Sequence, residues 1–193
     1  MIRAIIFDCF GVVLTDALQE VRTALAEHDS AAADKVTDIV AANNRGLVPP
    51  SESNAKIAHV LGMDADAYRA LIAAREVRNS ALLEYIQGLR KTYKTAMLSN
   101  IAGSSLERRF PDDELGVYFD EVVASADIGY MKPEPEAYRF VAERLGVTPN
   151  ECVFIDDREV FCVAATSVGM QAILYTNFAQ FRQGLESTLA NSE

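Results

Sequence analysis

Asp8, Ser99, Asn100, Lys132, Asp156 and Asp157 each stand just behind a short apolar run or in the loop that follows one. Asp8 follows residues 4–7, Ser99 and Asn100 follow 95–98, and the acidic doublet follows 152–155. Lys132 lies in Gly129-Tyr130-Met131-Lys132-Pro133, beyond the weaker run 121–124. A carboxylate in the position of Asp8 can attack phosphorus or carbon, giving an intermediate that water opens, so that one hard step becomes two easier ones. Asp156 and Asp157 would oppose its charge: two unit charges at ~4 Å in an effective dielectric of ~20 repel by about 4 kcal/mol. A cation is therefore expected between them, and a hard divalent ion with oxygen ligands, most simply Mg²⁺, fits. Asp157 is expected as the direct ligand and Asp156 as the next candidate. If the target is a phosphoryl group, Lys132 sets a point charge against both Asp8 and a phosphate oxygen. The Ser99 hydroxyl and the Asn100 N–H then donate to other oxygens.

Each residue alone has a plainer explanation. Asp8 could cap a helix, the doublet could cap the helix that begins near Glu159, Lys132 could be a solvated loop lysine and Ser99 a turn hydroxyl. The elements that would position them decide otherwise. The runs 4–7, 95–98, 152–155 and 172–175 read as buried strands, with 121–124 as a fifth. Helical patterns at 136–145, closed by Gly146, and 160–168, closed by Gly169, alternate with them. This alternation predicts a three-layer α/β fold, a doubly wound, mostly parallel sheet covered on both faces. Ligands bind such sheets at the carboxyl ends of the strands, where all six residues are expected.

The stretch 15–79 reads as all helix. Leu18, Val21 and Leu25 share one face, Val36, Ile39 and Val40 another, and Asp64 can cap a helix carrying Tyr68, Leu71 and Ile72. Residues 46–50 break the pattern once, and Ser51 restarts a helix that runs to Gly62. The expected organisation is a core of residues 1–14 and 80–193, with 15–79 a helical insertion over the strand ends.

Composition narrows the partners. Of 193 residues half are hydrophobic, enough for a sizeable core, and the net charge of −10 disfavours nucleic acid and anionic membrane surfaces. Cys9, Cys152 and Cys162 form no CxxC pair, which suits a reducing, cytoplasmic setting. No run approaches the ~18 apolar residues of a membrane span, and an unprocessed protein is expected.

The four motifs, Ile5-Ile6-Phe7-Asp8-Cys9-Phe10-Gly11, Met97-Leu98-Ser99-Asn100, Met131-Lys132-Pro133-Glu134 and Val153-Phe154-Ile155-Asp156-Asp157, occur in order and resemble those of the haloacid dehalogenase-like hydrolase superfamily. The resemblance spans the whole chain and implies a Rossmann-like core with a small helical cap inserted after the first strand. It implies a Mg²⁺-dependent phosphatase working through an aspartyl-phosphate on Asp8, with the backbone carbonyl of Phe10 as a further metal ligand. The match is better to small capped members such as sugar-1-phosphate phosphatases and the N-terminal domain of soluble epoxide hydrolases.

Two positions depart from the pattern. Phe10 stands where phosphatases of the superfamily usually carry a second Asp, a general acid worth about 10²–10⁴-fold. An aromatic residue there resembles the 2-haloacid dehalogenases, whose halide leaving group needs no proton. Against dehalogenation stands Asp156-Asp157, since those metal-free enzymes have a hydroxyl and amide pattern there. Phe161 replaces a polar residue that often supports the metal site. A catalytically weak binding or regulatory module on the same fold is the third reading.

The expected substrate is a small phosphorylated metabolite whose leaving group has a low pKa, such as an anomeric or aryl phosphate, and the protein a monomer or homodimer. His28 and His59 have no partner at metal spacing, and Cys9 is expected to pack rather than react. Arg45 is expected as a solvated loop arginine, and Arg108 and Arg109 as decoration of a helix end.

Overall fold

The chain, described for residues 1–192 in a computed structural model, builds one sheet from five strands. These are β1 (Ala4–Phe7), β2 (Lys94–Ser99), β3 (Glu121–Ala124), β4 (Cys152–Asp156) and β5 (Gln171–Leu174). Their order is β3-β2-β1-β4-β5, and every pair is parallel. The first strand is thus central, and the chain winds outward from it first on one side and then on the other. Such a reversal leaves a crevice at the carboxyl ends of the strands. β5 begins one residue earlier than its apolar run suggests, in register with β4 from Gln171.

Every residue of β1 is buried, as a strand covered on both faces requires. Ile5 and Phe7 point to one layer, packed with Leu82 and Ile86 of α5 (Ser80–Leu89) and Phe181 and Leu185 of α11 (Phe178–Ala190). Ala4 and Ile6 point to the other, with Tyr138 and Val141 of α9 (Pro135–Arg144) and Ala165 of α10 (Glu159–Ser167). Burying each large side chain stabilises the fold by about 1.5–3 kcal/mol, so the four-residue strand is held by its neighbours rather than by its own propensity. Phe7 adds an edge-on contact to Phe181, ring centroids 5.8 Å apart.

Between β1 and α5 lie the four helices of the cap, α1 (Ala17–Ala26), α2 (Ser30–Asn44), α3 (Pro50–Val60) and α4 (Ala65–Ala73). Asp16, Asp29 and Asp64 cap three of them, accepting the N–H groups of Gln19, Ala32 and Ala67 at 2.9, 2.9 and 2.8 Å. The apolar faces read from the sequence close on one another: Val36, Ile57, Tyr68 and Ile72 form a core of their own, with Leu18, Val21 and Leu25 against it. The break before α3 turns at Gly46, whose φ of 74° and approach to the Ala126 carbonyl suit glycine.

Two short segments tie the cap to the sheet. Leu14 bridges Arg78 in antiparallel sense, Thr15 N–H donates to the Val77 carbonyl at 3.0 Å, and Asn79 N–H donates to the Val13 carbonyl at 2.9 Å. Three short helices carry no sequence signal of their own: α6 (Gly103–Arg109) and α8 (Ser125–Ile128) follow the carboxyl ends of β2 and β3, and α7 (Leu115–Tyr118) leads into β3.

Candidate active site

Asp8 ends the central strand and is 5 % exposed. The chain then turns sharply: Gly11 takes a φ of 86°, its N–H donates to the Leu14 carbonyl at 2.6 Å, and Val13 N–H donates to the Cys9 carbonyl at 2.8 Å. Gly11 is needed for space as well as conformation. A Cβ there would lie 2.2 Å from Asp157 Oδ2, so the missing side chain lets the second acid of the doublet approach the first strand.

Lys132 is 1 % exposed and joins the strand ends, its Nζ 2.7 Å from Asp8 Oδ1 and 2.7 Å from Asp156 Oδ2. Burial alone would push its pKa down, but the two carboxylates outweigh burial and hold it above the ordinary lysine value. Burial raises the Asp8 carboxyl to about 7, against the pull of Lys132 and with the push of Asp156. Phe154 and Phe161 flank the ammonium group, their ring centroids 5.3 and 5.0 Å from Nζ. Phe161 therefore packs beside the lysine. The Lys132 backbone is clamped by Asn100, whose Nδ2 donates to the Lys132 carbonyl at 2.8 Å and whose Oδ1 accepts the Lys132 N–H at 2.8 Å.

The two members of the doublet differ. Asp156 has both oxygens engaged, Oδ2 by Lys132 and Oδ1 by the Arg158 N–H at 2.9 Å. Asp157 Oδ1 is buried with no hydrogen-bond partner, and burial, then Asp156 and Asp16, raise its carboxyl to about 6. Asp8, Asp156 and Asp157 each offer an oxygen within 4.8 Å of the others. Ser99 Oγ, at the end of β2, is also buried without a partner. An all-oxygen donor set with an orphaned carboxylate oxygen fits a hard divalent cation.

All six residues singled out from the sequence thus border one crevice, though Asn100 spends its side chain on Lys132. Above them the cap encloses a cavity of about 380 Å³, with Asp8, Phe10 and Ser99 on the sheet side and Val40, Ile57 and Tyr68 on the cap side. Arg109 does more than decorate a helix end: it lines this cavity, grips Glu76 through Nε at 2.9 Å and Nη2 at 2.6 Å, and lies over the Phe10 ring at 5.3 Å. Arg108 lines the same cavity, as do Arg22 and Arg158, neither of which carries a local sequence signal. Arg45 is not simply solvated, because it pairs with Glu134 in the loop of Lys132. Glu134 Oε2 in turn accepts the Met131 N–H at 3.0 Å, and nearby Ser125 Oγ donates to the Asn44 carbonyl at 2.6 Å. Cys9 is fully buried, its thiol pushed well above the ordinary value by burial and then by Asp8, and it packs as expected. His28 and His59 are exposed.

A doubly wound parallel sheet with an aspartate on the central strand end, a buried lysine bridging it to an acidic doublet, and a helical cap above defines a class of capped α/β hydrolases. The chain belongs to the haloacid dehalogenase-like hydrolases, matching that family over residues 2–169. It is 28% identical to D-ribitol-5-phosphate phosphatase of Bacteroides thetaiotaomicron over 202 aligned positions, covering 96% of this chain and 97% of that one. It is 32% identical to bifunctional epoxide hydrolase 2 of Mus musculus over 121 residues, 60% of this chain but only 22% of that protein's length. In fold it is similar to a crystal structure of a haloacid dehalogenase family enzyme of Bacteroides thetaiotaomicron in complex with magnesium and inorganic phosphate. The TM-score is 0.72 at 24% identity, over 93% of this chain and 96% of that one.

Proposed function

We propose that the protein hydrolyses a small phosphomonoester through a phosphoaspartyl intermediate on Asp8, with Mg²⁺ as its cofactor. The observation that carries the reading is the Asp8–Lys132–Asp156 ion triad beside two orphaned buried groups, Ser99 Oγ and Asp157 Oδ1. The Asp8 carboxylate attacks phosphorus and the bond to the leaving oxygen breaks. Lys132, the Ser99 hydroxyl and the Asn100 N–H donate to the phosphoryl oxygens as charge shifts among them. Phe10 has no proton to give, so the leaving oxygen takes one from water. A second water then attacks the phosphoaspartate and gives its proton to the hydroxide left by the first, and the phosphorus–oxygen bond to Asp8 breaks to release phosphate.

Asp8, Asp157 and the Phe10 carbonyl would hold the metal. When bound, it supplies positive charge against the acids and the phosphoryl group. Both Asp156 oxygens accept a hydrogen bond, so in this scheme Asp156 chiefly holds Lys132 and stays the next candidate ligand after Asp157. Residues 15–79 act as the cap that selects the substrate, closing over the sheet of residues 1–14 and 80–193. The relative named for ribitol 5-phosphate and the neighbour crystallised with magnesium and phosphate support a small phosphorylated metabolite. We place the protein in the cytoplasm as a monomer or homodimer that binds neither nucleic acid nor membrane.

Phe10 supports a second reading, 2-haloacid dehalogenation, and the partnerless Asp157 oxygen counts against it. The test is phosphate release from a panel of phosphomonoesters with and without EDTA, beside chloride release from 2-chloropropionate, with Asp8→Asn as control. Metal-dependent phosphate release is expected. Metal-independent halide release overturns the proposal, and silence in both with ligand-induced thermal stabilisation replaces it with a binding module.

A further inference from the structure

Most arginines of the chain pair with a carboxylate, among them Arg3, Arg45, Arg78, Arg90, Arg109 and Arg144. Arg22, Arg75, Arg108, Arg139 and Arg158 have no such partner among the described residues, and three of these five, Arg22, Arg108 and Arg158, line the one cavity above Asp8. Arg22 projects from α1, and its Nε is buried without any acceptor. Buried donors are ordinarily satisfied, and a buried guanidinium nitrogen left without an acceptor needs an explanation.

The carboxylates beside these arginines are already engaged. Asp16 and Glu76 line the cavity with Arg22, Arg108, Arg109 and Arg158. Glu76 is fully engaged by Arg109. Asp16 is occupied as the cap of α1, accepting the Gln19 N–H, and both Arg22 and Arg158 act on it electrostatically without forming an ion pair. Arg158 is held over the Phe161 ring at 4.4 Å. Arg22 and Arg158 thus line the cavity without an ion pair to any carboxylate among the described residues, and the Arg22 Nε has no acceptor. A neutral sugar or polyol could accept a hydrogen bond from Arg22 but would leave the charge uncompensated. An oxyanion satisfies both demands, and guanidinium forks match carboxylate and phosphate geometry.

Building on the phosphomonoester reading, we propose that the leaving portion of the substrate carries a second anionic group, a carboxylate or phosphate, seated against Arg22 and Arg158. The substrate class is then a phosphorylated acid or a bisphosphate of a size that about 380 Å³ admits.

Two matched pairs test this with Mg²⁺ present: glycerol 3-phosphate against 3-phosphoglycerate, which adds a carboxylate, and fructose 1-phosphate against fructose 1,6-bisphosphate, which adds a phosphate. In the wild type kcat/KM is expected to favour the charged member of at least one pair by about tenfold or more, chiefly through KM. The pair that responds tells carboxylate from phosphate. Arg22→Gln is expected to collapse the ratio toward one, and Arg22→Lys to keep part of it. No preference within either pair in the wild type, or a preference that survives Arg22→Gln unchanged, overturns the subsite. Should Arg22→Gln fail to fold, Arg158→Gln carries the same comparison. p-Nitrophenyl phosphate separates the two levels: its hydrolysis without preference in either pair removes the subsite and leaves the phosphatase. If no phosphate is released from any compound, the phosphatase reading falls. The thermal shifts of wild type and Arg22→Gln with the same four compounds then decide the subsite.

Discussion

The Asn100 side chain holds both backbone polar groups of Lys132, donating to its carbonyl and accepting from its N–H at 2.8 Å each. The residue that follows β2 thereby fixes a lysine 32 positions further along the chain, at the height where its ammonium group meets Asp8 and Asp156.

Asn100→Ala removes both bonds while leaving the Asn100 N–H in place. Two such bonds, at ~1 kcal/mol net each, correspond to a loss of about 30-fold if expressed at the transition state. The expected result is a fall in kcat with a smaller change in KM, and a parallel shift in the pH at which activity is lost. Steady-state kinetics across pH measure both. A pure KM effect would show that the clamp does not position the lysine.

Phe10→Asp returns a carboxyl to the place where a general acid would stand. The wild type is expected to show a steep dependence of kcat/KM on leaving-group pKa, and the variant a shallower one, with substrates of high leaving-group pKa gaining up to about 10²-fold. Equal slopes for a series of aryl and alkyl phosphates would sink the idea that Phe10 sets the preference.

Gly11→Ala places a methyl group against Asp157 at a φ of 86°. Strain of this kind costs about 1–3 kcal/mol, and relief requires Asp157 to move away from Asp8. Urea unfolding should register the lost stability. Magnesium-dependent stabilisation should drop by more than the fold itself does, since the displaced carboxylate is the proposed ligand.

Asp120 gives a pH signature away from the site. Burial pushes its carboxyl up, but the Thr95 N–H at 2.8 Å and Arg90 Nε at 2.9 Å prevail and hold it below the ordinary 3.8. A carboxyl with a depressed folded pKa contributes stability above its unfolded pKa and loses it as pH falls through the folded value. Asp120→Asn is therefore expected to be less stable than wild type at pH 7, by up to ~1 kcal/mol for so exposed a pair. The gap should begin to shrink below about pH 3.8 and close as pH falls through the lower folded value. Urea midpoints at pH 7 and pH 3 measure the difference.

Much of the sheet was legible in the sequence because its strands are short and buried on both faces. Residues 4–7 and 121–124 coincide with β1 and β3, and the apolar faces of the cap helices meet as their spacing suggests. The six residues bordering the crevice stand out because each ends a strand or lies in the segment after one. Their division of labour could not. Nothing local tells Asp156 from Asp157, since the difference is made by Lys132 and the Arg158 N–H on one and by Gly11 on the other. Arg109 reads as a helix end until Glu76, 33 residues earlier, is folded against it. Arg22 sits beside Val21 within an apolar pattern, and only the closed cavity reveals that its Nε lacks an acceptor. The helices α7 and α8 are too short to show a period.

The tight turn at residues 131–134 has two occupations: Lys132 reaches down to the two aspartates, while Glu134 reaches up to Arg45 at the far end of α2 and braces its own turn through the Met131 N–H. The contact to α2 and the contact to the nucleophile therefore fall within three residues of chain. One short loop thus anchors both the lysine beside the nucleophile and the end of α2.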